Sequence, residues 1–268
     1  MKKLLLFDVD GTLVDYSGTV PQSAIDGLKQ ARVNGHYVFV VTGRTKCRAT
    51  VGDIEIDGMI CGNGAYVEAM GEVVSSQMLS LEDITKITDY LDERNIMYFL
   101  EGNDGMYGSR DFEYGAVETY RKYGVKNPTI KHLYPMMVFP DNMHIPNILK
   151  VNYILNSYQD YLDFKEVFKD YKCLTWGGKG EAALFGDCAL NGIDKAVAVN
   201  KLIEHLGVAK EDVYAFGDAT VDIPMFECAG TSIAVGSGGD EAKEAASYVT
   251  DAVLDDGIYN ALKHFELI

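Results

Sequence analysis

A chain of 268 residues, 47% hydrophobic and 24% charged, has room for one domain and a sizeable insertion, and its ordinary balance leaves no long disordered tract. Its formal net charge of −16 argues against broad binding to nucleic acid or to an anionic membrane, since phosphate-rich surfaces need a positive partner. The same charge gives a phosphorylated ligand no attraction, so a phosphate site here has to carry its own metal ion or a placed lysine.

The apolar run Leu4 to Phe7 stops at Asp8, short of the roughly 7–15 residues of a secretory core segment. It reads as a buried strand over residues 3–7, and no later run is long enough to span a bilayer, so a soluble cytoplasmic protein is expected. A helix is predicted from about Pro21 to Asn34, with proline near its start and Gly35 as its stop. Tyr37 to Val41 is a second continuous apolar strand, ending in Thr42-Gly43-Arg44, and Met59 to Cys61 is a third, running into Gly62-Asn63-Gly64. Strands without alternation, separated by helices, predict a parallel sheet covered on both faces.

From about Leu81 the texture changes. Helices over 81–94, 111–123 and 159–169 mix with strands over 97–100, 136–139, 150–155, 172–176 and 182–185, an α+β pattern with antiparallel character. After Gly186 the alternation resumes, with helices over 194–206, 223–228 and 240–246 and strands over 213–216 and 232–235. The fold class is therefore α/β: a doubly wound, mainly parallel-sheet domain made of residues 1–81 and 187–268, interrupted by a second domain over 82–186. Cys47, Cys61, Cys173, Cys188 and Cys228 form no C-x-x-C pair and read as buried thiols in a reducing compartment. The histidines show no ligand spacing, and Tyr98, Tyr107, Tyr114 and Tyr120 read as core more than as substrate stackers.

Four polar sets fall where predicted parallel strands end, which in open α/β sheets is where ligands bind. Asp8-Val9-Asp10-Gly11-Thr12-Leu13 places two carboxylates in one crevice, suited to a nucleophile and a general acid/base. Thr42-Gly43 offers a hydroxyl and a backbone N–H to phosphate, and Lys195 adds an ammonium at a helix start. Gly217-Asp218 with Asp222 adds carboxylates for an oxygen shell around Mg²⁺. Singly, each set has a plain structural reading as turn, loop, solvated lysine or helix cap. Their conjunction in one chain is what favours chemistry.

These segments, with Val41-Thr42-Gly43-Arg44, Asn191-Gly192-Ile193-Asp194-Lys195 and Gly217-Asp218-Ala219-Thr220-Val221-Asp222, resemble the four motifs of the haloacid dehalogenase superfamily. The insertion, the Cys61-to-Tyr66 segment and the stretch from Ala229 to Gly257 are similar to its Cof-type, or type IIB, subfamily. The resemblance implies a Rossmann-like core and an inserted type IIB cap. It further implies a Mg²⁺-dependent phosphatase acting on a small phosphorylated metabolite such as a sugar phosphate. Asp8 would be the nucleophile and a metal ligand, and Asp10 the acid/base, with its carbonyl on the metal. Val9, Thr42, Gly43 and Lys195 would hold phosphate, and Asp218 and Asp222 would complete the metal site. One position departs from the pattern: Val221 stands where the family usually has a phosphate-contacting Asn, either beside phosphate or packed inward. A phosphomannomutase-like mutase and a non-catalytic binding protein of the same fold are the competing readings. Oligomeric state is not legible.

Overall fold

The computed structural model describes residues 2–46, 51–52, 54–178 and 180–268; Cys47 lies outside them. In chain order the elements are β1 (Leu4–Phe7), α1 (Gln22–Val33), β2 (Tyr37–Val41), β3 (Gly58–Cys61), β4 (Tyr66–Ala69) and β5 (Glu72–Ser76). Then come α2 (Leu81–Glu93), β6 (Tyr98–Gly102), β7 (Met106–Gly108), α3 (Phe112–Lys122), α4 (Ile130–Leu133), β8 (Met137–Val138), β9 (Ile148–Ile154), α5 (Tyr158–Val167), β10 (Tyr171–Trp176) and β11 (Phe185–Leu190). The chain ends with α6 (Lys195–Leu206), β12 (Val213–Gly217), α7 (Ile223–Cys228), β13 (Thr231–Ala234), α8 (Asp240–Ala245), β14 (Tyr248–Val249) and α9 (Gly257–His264).

Two compact units result, one of residues 1–76 and 193–268 and one of 77–192. The bounds 82 and 186 read from the sequence differ from these. Residue 186 falls inside β11, which is bonded antiparallel to both β9 and β10 and so belongs wholly to the inserted unit.

The first unit is built on an eight-stranded sheet in the order β14-β13-β12-β1-β2-β3-β4-β5. The strands from β14 to β3 are parallel, and β4 and β5 continue the sheet antiparallel. Alternate residues of each central strand serve opposite faces. Leu5 and Phe7 pack with Leu28, Ala31 and Leu262 of α1 and α9. Leu4 and Leu6 pack with Ala198, Leu202, Met225 and Ala242 of α6, α7 and α8. A strand buried on both sides has no polar face to show, which is why β1 and β2 read as unbroken apolar runs. Going outward from β1 the sequence order runs both ways, so the strand-end crevice lies beside β1.

The inserted unit has its own six-stranded sheet, in the order β10-β11-β9-β6-β7-β8. Its core sets Ile84, Ile87, Leu91, Phe164 and Phe168 of and beside α2 and α5 against Tyr98, Leu100, Val151 and Tyr153. On its other face Phe99 packs against Phe112 and Tyr134, while Glu101 takes a hydrogen bond from Asn152 (3.2 Å) and an ion pair from Lys150 (3.5 Å). Tyr98 is core as expected, but Tyr114 is 69% exposed. Cys61, Cys173, Cys188 and Cys228 are buried thiols. Among the described residues no helix is long and apolar enough to cross a membrane.

Candidate active site

β1 ends at Phe7 and the chain turns at once. Asp8 N–H donates to Phe216 O (2.9 Å), holding residue 8 in the sheet, and Leu13 and Val14 return their N–H groups to Val9 O at 3.1 and 2.9 Å. The turn runs through Gly11 at φ +88°, where a β-carbon would meet Asp218 Oδ2 at 2.3 Å, so a side chain is excluded both by conformation and by space. Asp8 is buried by this packing.

α6 starts at Lys195 because Asp194 caps it, its side chain accepting the Val197 N–H at 2.8 Å. The Lys195 side chain is buried, and its Nζ donates to Asp8 Oδ1 and to Asp222 Oδ1, each at 2.6 Å. Asp222 is fully buried, and its second oxygen accepts the N–H groups of Asp218 and Ala219 at 3.1 Å each. It therefore ties the loop after β12 to the lysine. Asp218 is held by two hydroxyls: Thr12 donates to Oδ1 (3.2 Å) and Tyr16 to Oδ2 (2.6 Å).

Electrostatics follow from burial. Burial pushes the Asp8 carboxyl well above the usual carboxylate range; the Lys195 ammonium opposes the rise, and Asp222 and Asp218 add to it. Burial raises Asp218 as well, against the hydrogen bond from Tyr16. Burial works against the Lys195 ammonium too, yet Asp8 and Asp222 outweigh it and hold the lysine above its ordinary value. Carboxylate oxygens of Asp8, Asp218 and Asp222 all lie within 4.8 Å of one another. Ionising all three carboxylates against one ammonium would leave a buried excess of negative charge, which is unfavourable without a counterion. An all-oxygen donor set with that excess fits a hard divalent cation.

The carboxylate of Asp10 is not in that group. It is 44% exposed and gripped in two places by Arg44, with Nε donating to Oδ2 at 2.9 Å and a terminal nitrogen donating to Oδ1. Thr42 is buried and its hydroxyl oxygen accepts the Arg44 N–H at 3.1 Å, while Gly43 lies next in the same loop. Val9 is buried, its side chain in the core on the α1 and α9 face of the sheet. Val221 is 61% exposed, so it does not pack inward. The structure thus brings Asp8, Lys195, Asp218 and Asp222 into contact, and sets the Asp10 side chain apart with Arg44. Sequence reasoning quoted Thr12 and Arg44 within motifs but gave them no role, and passed over Tyr16. Arg44 had a signal in its place directly after Thr42-Gly43; Tyr16 had none.

A doubly wound sheet whose first strand ends in a buried aspartate, bridged by a lysine to carboxylates from another strand end, is the arrangement of the haloacid dehalogenase-like hydrolases. The family model of that description matches residues 5–262, and the chain belongs to the family. Within it the chain is a Cof-type phosphatase, a phosphoric monoester hydrolase. It is 24% identical to the 5-amino-6-(5-phospho-D-ribitylamino)uracil phosphatase YcsE of Bacillus subtilis, over 99% of this chain and 96% of that one. The solved phosphatase BT1666 from Bacteroides thetaiotaomicron is 27% identical, with a TM-score of 0.80 over 100% of this chain and 96% of that one. The subclass IIB sugar phosphatase BT4131 shares the fold at a TM-score of 0.75 and 24% identity, with both chains covered to 100%.

Proposed function

We propose that the chain is a cytoplasmic, Mg²⁺-dependent phosphatase that passes the phosphoryl group of a small sugar or ribityl phosphate to Asp8 and then to water. The observation that carries this reading is Lys195 shared at 2.6 Å between Asp8 and Asp222 in a buried cluster. A buried carboxylate of this kind, fixed by a cation, suits in-line attack on phosphorus. In the first step an Asp8 oxygen forms a bond to phosphorus, the ester oxygen leaves, and Asp10 gives that oxygen its proton. In the second, Asp10 takes a proton from water, the water oxygen attacks phosphorus, and the bond to Asp8 breaks to release inorganic phosphate. Lys195 offsets charge on the equatorial oxygens throughout. Thr42 and the N–H groups of Val9 and Gly43 orient those oxygens. The carboxylates of Asp8 and Asp218, with the Asp10 carbonyl, would hold the Mg²⁺, which when bound supplies further positive charge to the phosphoryl group. Asp222 then serves as an anchor more than as a ligand, since its two oxygens already serve Lys195 and the backbone of the loop.

The substrate class draws on the printed activity of YcsE, a ribityl phosphate phosphatase. A panel of sugar, sugar-alcohol and nucleoside monophosphates, assayed for phosphate release with Mg²⁺, tests it. Selective turnover of polyol phosphates is the expected result; preference for nucleotides or for none of the panel would overturn the substrate class.

A further inference from the structure

We propose that Asn63 is a phosphate-binding residue of this site, presenting its carboxamide N–H to the phosphoryl group across the face of Gly43; the proposal rests on the phosphatase reading above. Three consecutive residues after β3 have left-handed backbone: Gly62 at φ 59°, Asn63 at φ 55° and Gly64 at φ 110°. Glycine adopts that conformation freely, whereas a residue with a β-carbon is disfavoured there, asparagine less than most. The fold therefore gains nothing in backbone terms from a side chain at the middle position. Nor does the side chain serve the interior, for among the described residues no hydrogen bond to the Asn63 carboxamide forms.

Its placement is nonetheless tightly determined. Asn63 N–H donates to Thr42 O (3.1 Å) and Gly62 N–H to Arg44 O (2.8 Å), which stitches the turn to the loop after β2. On the opposite side a β-carbon on Gly64 would lie 2.3 Å from the carbonyl of Asp194, the residue that caps α6 just before Lys195. The turn is thus clamped between the loop carrying Thr42 and Gly43 and the helix start carrying Lys195. Within that clamp the carboxamide lies over Gly43: a β-carbon there would sit 3.0 Å from Asn63 Oδ1 and 3.4 Å from Nδ2. A neutral amide with two N–H donors and, among the described residues, no hydrogen bond of its own, set over Gly43 in the loop that carries Thr42, suits an oxyanion. Which end faces the ligand is decided by rotation of the amide about its own bond.

The test is the pair Asn63→Gly and Asn63→Asp, measured for competitive inhibition by inorganic phosphate, for KM and kcat on p-nitrophenyl phosphate, and for Tm. Asn63→Gly keeps the left-handed turn and removes only the carboxamide. Loss of one hydrogen bond to a charged oxygen is expected to weaken phosphate inhibition by about tenfold, with Tm unchanged or raised. Asn63→Asp places a carboxylate against the phosphate and is expected to weaken it further than glycine does. Unchanged phosphate inhibition in Asn63→Gly would overturn the proposal, as would a loss that tracks a lower Tm. A wild-type enzyme neither turning over p-nitrophenyl phosphate nor inhibited by phosphate would instead overturn the phosphatase reading itself.

Discussion

Arg44 grips both oxygens of Asp10, and a guanidinium fork of this kind sets direction as well as distance. Asp10 sits on a turn with its side chain half out of the fold, so without Arg44 little else would fix its carboxyl. Arg44→Ala is therefore expected to lower kcat on alkyl phosphates by about tenfold or more, a fraction of the roughly 10²–10⁴ a general acid supplies. The loss on p-nitrophenyl phosphate should be smaller, since that leaving group needs little protonation. Arg44→Lys should not restore the rate, because an ammonium lacks the fork. Equal losses on both substrate types would remove Arg44 from proton delivery. The legibility of the site follows the same line. Asp8, Thr42, Lys195 and Asp218 could be found because strand ends and a helix start announce them. The partners of Asp10 and Asp218 could not, because they depend on rotamers of Arg44, Thr12 and Tyr16 that no spacing encodes. Val221 is a middle case: the departure was visible, and its exposure decides against inward packing.

At the scale of elements, the loop from β12 to α7 depends on one buried carboxylate. Asp222 accepts Lys195 on one oxygen and two backbone N–H groups on the other. Asp222→Ala would leave the lysine with half its partners and both N–H groups unpaired. Removing one member of a buried pair typically costs about 3–5 kcal/mol, so denaturant unfolding should show a loss of that order. Asp222→Asn, which keeps one acceptor oxygen, should lose less. A loss within about 0.5 kcal/mol, the usual range for surface substitutions, would contradict the anchoring role. The parallel strands and their helices were legible because burial on both faces leaves unbroken apolar runs. The β4–β5 hairpin was not. Its second strand is largely exposed, and its turn at Met70-Gly71, with φ of 52° and 82°, lacks the Asn-Gly or Asp-Gly pair that signals such turns. β11 was displaced for a related reason: Gly186 and Asp187 interrupt its apolar pattern, yet its backbone pairs on both sides.

On the scale of the whole molecule, a charge of −16 makes local cations decisive, and Lys195 alone does not balance the three carboxylates around it. Chelation should abolish phosphate release and added Mg²⁺ should restore it. Because a cation would bind the folded cluster and not the unfolded chain, Tm should also rise with Mg²⁺. The stabilisation expected is about 2.7 kcal/mol at a hundredfold excess over Kd. A Tm indifferent to Mg²⁺ would contradict the cation site independently of turnover.

Covalent transfer to Asp8 is the central claim, and trapping tests it most directly. In Asp10→Asn the base for the second step is gone, so a phosphoryl group delivered from p-nitrophenyl phosphate should accumulate on the enzyme. Acid quenching followed by peptide mass mapping should find one phosphoryl group, carried by the peptide containing Asp8. Turnover with no phosphorylated peptide, or a phosphoryl group on a different residue, would contradict the mechanism.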